Sequence, residues 1–423
     1  MSYTYDDLHR LTRETCVPSQ GSYRWGYDYS YSYDAVGNRT GKTIGSGIGR
    51  TEIVYYYSAR NELTGEDTYV VEQDDQGEEL WVGVAAVEYS YDLRGNLVGK
   101  RDVFDYWWWW DYYWSADDKL IKAEYSTEQS GIVKTVEYKY DVLGRRVAKR
   151  LNGGLWRWYF YDGLQVTAEG TGTNDKMYYT HSPSVIGGII ARDNNGTKLW
   201  YHFDRLGNVM AVTDSNGNPY AVYGMEAFGY TLQMGSSTGY AIFQPDPQPY
   251  HLTTKEYDPD TGLYYFSARW YDASTGRFVS RSPLPREMEE EYQYCFNNPV
   301  NGTDAQGLIS SRGKDFARTC WDLFQGCLAH SHRRTVGEGA GLVVYTIVEG
   351  FVSPAGCIWI CVGLDAAFVV PGLVCHVACF AGSSVPMELA LEHDSMQRQN
   401  RIRCENLNCR DMHKKCLRIA RSM

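Results

Sequence analysis

The sequence predicts a mostly β fold, a long curled sheet of antiparallel hairpins, followed by a small, mainly α-helical C-terminal segment. Three observations carry this. The 423 residues hold 36 Tyr and 42 Gly but only 13 Pro, and Tyr suits strands while Gly suits the positive-φ corners of tight turns. A ten-residue frame recurs through the first half of the chain. Composition then changes abruptly near residue 308.

The frame is aromatic-x-aromatic-Asp-x-x-Gly-Asn/Arg-x-apolar. It appears as YTYDDLHRLT (3–12), YSYDAVGNRT (31–40), YYYSARNELT (55–64), YSYDLRGNLV (89–98), YKYDVLGRRV (138–147) and YHFDRLGNVM (201–210). Looser copies are YYWSADDKLI (112–121) and YFYDGLQVTA (159–168). Each copy reads as strand, turn, strand. The two aromatics share one face, the Asp side chain caps the turn, and Gly-Asn supplies left-handed residues. One hairpin is marginal in water, but successive hairpins bury each other's aromatic faces and remove free edges. In DYWWWWDYYW (105–114), Trp107 and Trp109 fall on one face and Trp108 and Trp110 on the other. A repeat strand buried on both sides is expected there, with a carbohydrate-stacking surface as the alternative.

KEYDPDTGLYYFSARWYDASTGRF (255–278) sets two Asp/Thr/Gly turns around an aromatic run. Period two over LYYFSARWYD places Tyr264, Phe266, Ala268 and Trp270 on one face of a single strand. NNPVNGTDAQGL (297–308) follows. The net charge of −11 argues against nucleic acid as a partner of the repeat region. No charged-then-apolar leader opens the chain, and its start inside a repeat suggests a longer gene product.

The repeats resemble the YD repeats of the Rhs/YD-repeat family. The stretch from KEYDPDTG through VSRSP, with YQYCFNNPVNGTDAQGL, resembles that family's Rhs repeat-associated core domain. The resemblance implies a cocoon-like or shell-like spiral of hairpins over residues 1–245, a core domain at 246–308 that plugs one end, and a variable tail at 309–423. It also implies that the tail is cargo, often a toxin used between bacteria and matched by an immunity protein. The family's core domain can cut itself after the Leu of DPxGL, using two carboxylates that share a proton. Carried over, one acid is Asp304, the cut follows Leu308, and Arg281 is kept. The other acid's place is Ser282, and Ala305 replaces Pro. Self-cleavage is therefore expected to be weak or absent, with Asp304 capping the DAQG turn.

Nine of the eleven cysteines lie in residues 309–423, which carry 13 Lys and Arg against 10 Asp and Glu, whereas the preceding part is acidic. SRGKDFARTCWDLFQGCLAH (311–330) reads as an amphipathic helix. The apolar stretch 339–382 contains Cys357, Cys361, Cys375 and Cys379 around a Pro371-Gly372 turn. Two antiparallel helices would set Cys357 opposite Cys379 and Cys361 opposite Cys375. A disulfide-stapled hairpin, a reduced helical core and a membrane-inserting hairpin compete. The basic end 396–423 reads as solvated surface, or as a face attracted to anionic membrane or nucleic acid. Cys404, Cys409 and Cys416 with His413 have spacing merely suggestive of metal, and His330, His332 and Glu338 have no recognised catalytic geometry, so no metal or cofactor is assigned. Three functions follow in order: a secreted or cell-surface shell carrying a payload, a surface protein binding carbohydrate, and a core that only cleaves itself.

Overall fold

The computed structural model describes residues 1–17, 26–172, 175–182, 188–235, 248–284 and 291–308, with 344–347, 357–359, 362–365 and 377–379 in the tail. Met1–Arg281 with Glu291–Ser310 form one unit, and Ser282–Glu290 with Ser311–Met423 form another.

The first unit is dominated by a 20-stranded sheet. Its strands are β1 (Ser2–Tyr5), β2 (Leu11–Cys16), β3 (Tyr27–Tyr33), β4 (Arg39–Ile44), β5 (Thr51–Tyr57), β6 (Leu63–Gln73), β7 (Glu79–Tyr91), β8 (Leu97–Asp102), β9 (Trp108–Trp114) and β10 (Leu120–Thr127). There follow β11 (Gly131–Tyr140), β12 (Arg146–Leu151), β13 (Arg157–Asp162), β14 (Gln165–Gly170), β15 (Met177–His181), β16 (Ile189–Asn194), β17 (Thr197–Phe203), β18 (Val209–Thr213), β19 (Pro219–Met225) and β20 (Thr231–Gly235). Each strand pairs antiparallel with the next, so the sheet is one continuous meander.

The repeat frame explains the turns. Asp34 Oδ1 accepts the N–H groups of Val36 (3.0 Å) and Asn38 (2.8 Å), and its Oδ2 accepts from Asn38 Nδ2 (2.9 Å). Asp92 and Asp204 do the same. Gly37 holds φ at +85°, a region that favours glycine. After each turn a register shift leaves one residue extra, as between Ser32 and Tyr33 opposite β4. Such a bulge turns the residues flanking it toward the same face.

That bulge sets the buried position. The buried residue is the one before the last of the frame. Leu11, Arg39, Leu63, Leu97, Leu120, Arg146 and Val209 are buried, while Thr12, Thr40, Val98, Val147 and Met210 are only partly covered and Thr64 and Ile121 are exposed. The carbonyl of the buried residue is taken by the second aromatic of the next repeat. Tyr33 donates to Leu11 O, Tyr57 to Arg39 O, Trp114 Nε1 to Leu97 O, Tyr140 to Leu120 O and Tyr161 to Arg146 O, each at 2.7 Å. Consecutive hairpins are thus stapled as well as paired.

The tryptophan run is covered mainly on one side. Trp108, Trp110 and Trp114 pack with buried Tyr112 against the core, whereas Trp107 is exposed. The expected double burial is incomplete: on the other face Trp109, opposite Ser126 of β10, is only partly covered, and Tyr113, opposite Lys122, is exposed.

Residues 256–278 form a second sheet of β21 (Glu256–Asp258), β22 (Leu263–Tyr265), β23 (Trp270–Asp272) and β24 (Arg277–Phe278). The single strand expected over LYYFSARWYD is two strands. The chain reverses at Phe266–Arg269, where Phe266 N–H bonds Arg269 O at 3.0 Å and Ser267 takes φ of +69°. Tyr264 therefore pairs with Tyr271, and Tyr265 with Trp270.

In the second unit, β25 (Val344–Ile347) pairs with β27 (Val362–Asp365) and β26 (Cys357–Trp359) with β28 (Val377–Cys379). Strands stand at these four places where a helical hairpin was expected. The amphipathic stretch 311–330, Cys361, Cys375 and the basic end lie outside the described residues.

Candidate functional site

The first aromatic of each repeat faces one residue on the following strand, and those residues form a belt. The pairs are Tyr3 with Glu14, Tyr31 with Lys42, Tyr55 with Glu66, Tyr89 with Lys100, Tyr112 with Ala123, Tyr138 with Lys149, Tyr159 with Glu169 and Tyr179 with Arg192. Reading across even-numbered strands from β2 to β16, acid and base alternate, with Ala123 between the two like charges Lys100 and Lys149; beyond Arg192 the series ends, since Tyr201 faces Val212. Glu14, Lys42, Glu169 and Arg192 are buried; Glu66, Lys100 and Lys149 are partly so. Neighbouring belt residues lie two strands apart, about 9.6 Å, and in a poorly hydrated setting that alternation lowers the cost of each charge.

Residues 248–281 and 291–308 lie against this belt and supply counter-charges. Lys149 Nζ meets Asp258 Oδ1 at 2.5 Å and Asp260 Oδ2 at 2.7 Å, and Lys100 Nζ meets Asp272 Oδ2 at 3.4 Å. Arg146, fully buried, bonds Glu256 and stacks 4.1 Å from the Tyr159 ring and 4.7 Å from that of Tyr265. Tyr138 donates to Asp258 Oδ2 at 2.6 Å. Burial works to raise the Asp258 carboxyl, but Lys149 and these bonds hold it below the ordinary carboxylate range. Glu169 is pushed up, by burial first and then by Glu256.

The turns bind the same segment through backbone groups. Leu97 N–H bonds Val279 O, Val209 N–H bonds His251 O and Tyr292 donates to Gly95 O, each at 2.9 Å; Asn297 Nδ2 donates to Gly37 O at 2.7 Å. One rim of the sheet thus fixes the hairpins of residues 256–278.

Asp304 is buried, at 1% exposure. Its Oδ1 accepts three N–H groups, from Gly307 at 2.8 Å and from Gln306 and Leu308 at 3.2 Å. Arg269 Nη2 lies 3.6 Å from Oδ2, while Arg269 Nε donates to Gly307 O at 2.5 Å. Gly307 sits at φ +69° with the place of a Cβ only 2.7 Å from Phe266 Cβ, so the turn is packed as tightly as glycine permits. Arg281 pairs with Glu291. In the other unit, Ser282 Oγ accepts the Leu284 N–H at 3.1 Å. Cys357 and Cys379 are cross-strand partners in β26 and β28.

The repeat strands have a known counterpart: the family described as Teneurin YD-shell matches residues 1–300. The chain belongs to that family. It is an Rhs/YD-repeat protein, and its meander of stapled hairpins is a YD shell. Among curated relatives, tRNA3(Ser)-specific nuclease WapA of Bacillus spizizenii is 29% identical over 320 residues. tRNA nuclease WapA of Bacillus subtilis (strain 168) is 30% identical over 321 residues. Each alignment covers 72% of this chain and 12% of the relative, so the chain spans about an eighth of their length. The crystal structure of TcdB2-TccC3-TEV is similar at TM-score 0.35 and 17% identity, covering 72% of this chain and 18% of that one.

Two features of the YD shell escape a sequence reading. The belt was missed because its residues fall outside the ten-residue frame, seven or eight positions after the turn's Asp or Ser in all but the last pair. AVYGMEAFGY (221–230) was missed because Met225 stands for the second aromatic and Glu226 for Asp. Yet Glu226 N–H bonds Tyr230 O and Gly229 N–H bonds Glu226 O, the same two bonds as at the Asp34, Asp92, Asp141 and Asp204 turns. Gly229 two residues before the β-branched Thr231 of β20 was the available signal.

Proposed function

We propose that this YD shell carries a toxin, with residues 1–308 as container and residues 309–423 as payload. The observation that carries this reading is the clamped turn at Asp304–Leu308. A shell whose last residues are pinned by a buried carboxylate and Arg269 tolerates any sequence beyond them. The stretch that follows differs sharply in cysteine content and charge. The nuclease names of the WapA relatives support a toxic payload in general. Their activity does not transfer, because each alignment covers only about an eighth of the relative. Among the described residues no helix is long and apolar enough to cross a membrane. A membrane-active tail, an immunity protein as its partner, use between bacteria and a secreted or cell-surface location all belong to this proposal.

The test is expression of residues 309–423 in the bacterial cytoplasm and, separately, the periplasm. Growth arrest relieved by the product of the adjacent gene is the expected outcome. Harmless expression in both compartments would overturn it.

Asp304 we read as the cap of the exit turn. Its engagement with three N–H groups and Arg269 supports that role, and Ser282 supplies no second carboxylate. The intact mass of the purified chain tests it, since a stoichiometric fragment beginning at Ile309 would restore the proteolytic reading.

A further inference from the structure

The β19–β20 turn has the hydrogen bonds of its siblings but not their position. At other turns the tips face solvent: Leu93 is 92% exposed and Val142 fully so. At this one Phe228 is completely buried. Its ring meets the edge of Tyr31 (5.2 Å), and its carbonyl accepts from Tyr271 (2.7 Å). Tyr264 donates to Gly229 O at 3.0 Å. Ala227 N–H donates to Glu14, 3.1 and 2.9 Å from its two oxygens, and Lys42 Nζ meets Glu226 Oε2 at 2.7 Å. Five residues thus join β2, β3 and β4 to β22 and β23, bridging positions as far apart as 213 in sequence.

Arg39 makes this junction unusual. It occupies the buried repeat position that holds Leu11, Leu63, Leu97, Leu120 and Val209 elsewhere. The other arginine at that position, Arg146, is neutralised by Glu256. Arg39 is 2% exposed and, among the described residues, has no carboxylate of its own. None of its three guanidinium nitrogens meets a partner there in ordinary hydrogen-bond geometry, and the groups that face it are the Tyr31, Tyr33 and Tyr55 side chains and, beyond contact distance, the Glu226 carboxylate. It stacks on Phe228 at 4.0 Å and on Tyr31 at 4.8 Å. Arginine cannot shed its proton, and ring faces return only part of the hydration that burial removes. The Lys42–Glu226 pair is neutral by itself, and Glu14 spends its oxygens on Tyr31 and Ala227. Withdrawing Phe228 would give the Arg39 guanidinium back to water.

We propose that the Glu226–Tyr230 turn is a releasable latch closing β2–β4 onto β22 and β23, held near its release point by the unpaired guanidinium of Arg39. The seam at Lys149–Asp258, where each charge has a partner, is the permanent one. The latch stands whether or not the tail is a toxin.

Hydrogen exchange with mass spectrometry on the full chain tests this. Amides of 226–230 should exchange about tenfold faster than those of the less buried 258–262 turn. Arg39→Leu, which restores the usual repeat residue, and Arg39→Met, which keeps the length, should each slow 226–230 by about tenfold and leave 258–262 unchanged. Glu226→Gln should accelerate 226–230 alone. Equal exchange of the two turns in the wild type, or no slowing in either Arg39 variant, would overturn the latch. Should both variants fail to fold, the wild-type comparison decides by itself.

Discussion

Tyr140 donates its hydroxyl to the carbonyl of Leu120 at 2.7 Å, tying one hairpin to the strand that opens the preceding turn. The bond exists because the bulge at Ile121 frees that carbonyl from the ladder. Tyr140→Phe should cost about 1 kcal/mol, the net worth of a buried hydrogen bond plus a stranded acceptor. Urea denaturation of the two proteins measures it, and an unchanged midpoint would show that water replaces the hydroxyl.

Leu97 and Val98 are adjacent, and only Leu97 is buried. Leu97→Ala should lose about 2–5 kcal/mol through cavity formation, whereas Val98→Ala should stay within about 1 kcal/mol. The same denaturation assay separates them. Equal losses would place the bulge elsewhere.

Much of the shell was legible in its repeats. Aromatic alternation marks the strands, and Asp-x-x-Gly marks the turns through short-range chemistry that a window of ten residues contains. Which residue after each turn faces inward was not legible, because a bulge follows from backbone geometry, not from hydropathy. Phe266–Arg269 was read as strand because nothing in Phe-Ser-Ala-Arg is a turn former; tertiary contact with Gln306 O, which accepts the Ala268 N–H at 2.9 Å, holds that reversal. Asp304 was legible as a turn cap. Its partner Arg269 was not, because the two meet only through folding.

The Lys149–Asp258 pair predicts an acid limit. The Asp258 carboxyl titrates below its usual value, so its stabilisation is present at neutral pH and disappears as pH falls through and beneath the ordinary range near about 4. Asp258→Asn should remove about 3–5 kcal/mol at pH 7 by leaving Lys149 with one acceptor fewer, and should flatten the acid limb. Melting temperatures between pH 3 and pH 7, on the order of one unit apart, give both readings.

Glu14 predicts the opposite slope. Burial, then Glu226, raise its carboxyl to about 7. A raised acid favours the folded state fully below its unfolded value, and that contribution is lost as pH climbs through about 7. Glu14→Gln should therefore flatten the decline in melting temperature between pH 5 and pH 7, roughly the window its shift defines. A variant as pH-dependent as the wild type would assign the slope to another group.

Gly307→Ala tests the exit turn. The added methyl meets Phe266 Cβ at 2.7 Å and a left-handed backbone, at a cost of about 1–3 kcal/mol. Limited proteolysis should then cut residues 302–308 faster while leaving the turns at 92–96 and 141–145 as resistant as before.

The charge belt constrains how such walls can lengthen over generations. Each hairpin up to β15–β16 contributes one member, so tandem duplication of two charged hairpins inserts an acid and a base and keeps every neighbour opposite in sign. Duplication of one sets like beside like, unless the copy carries a neutral residue such as the alanine at position 123. Lineages that add units singly should show small uncharged residues at the matching place, and those that add them in twos should not need them.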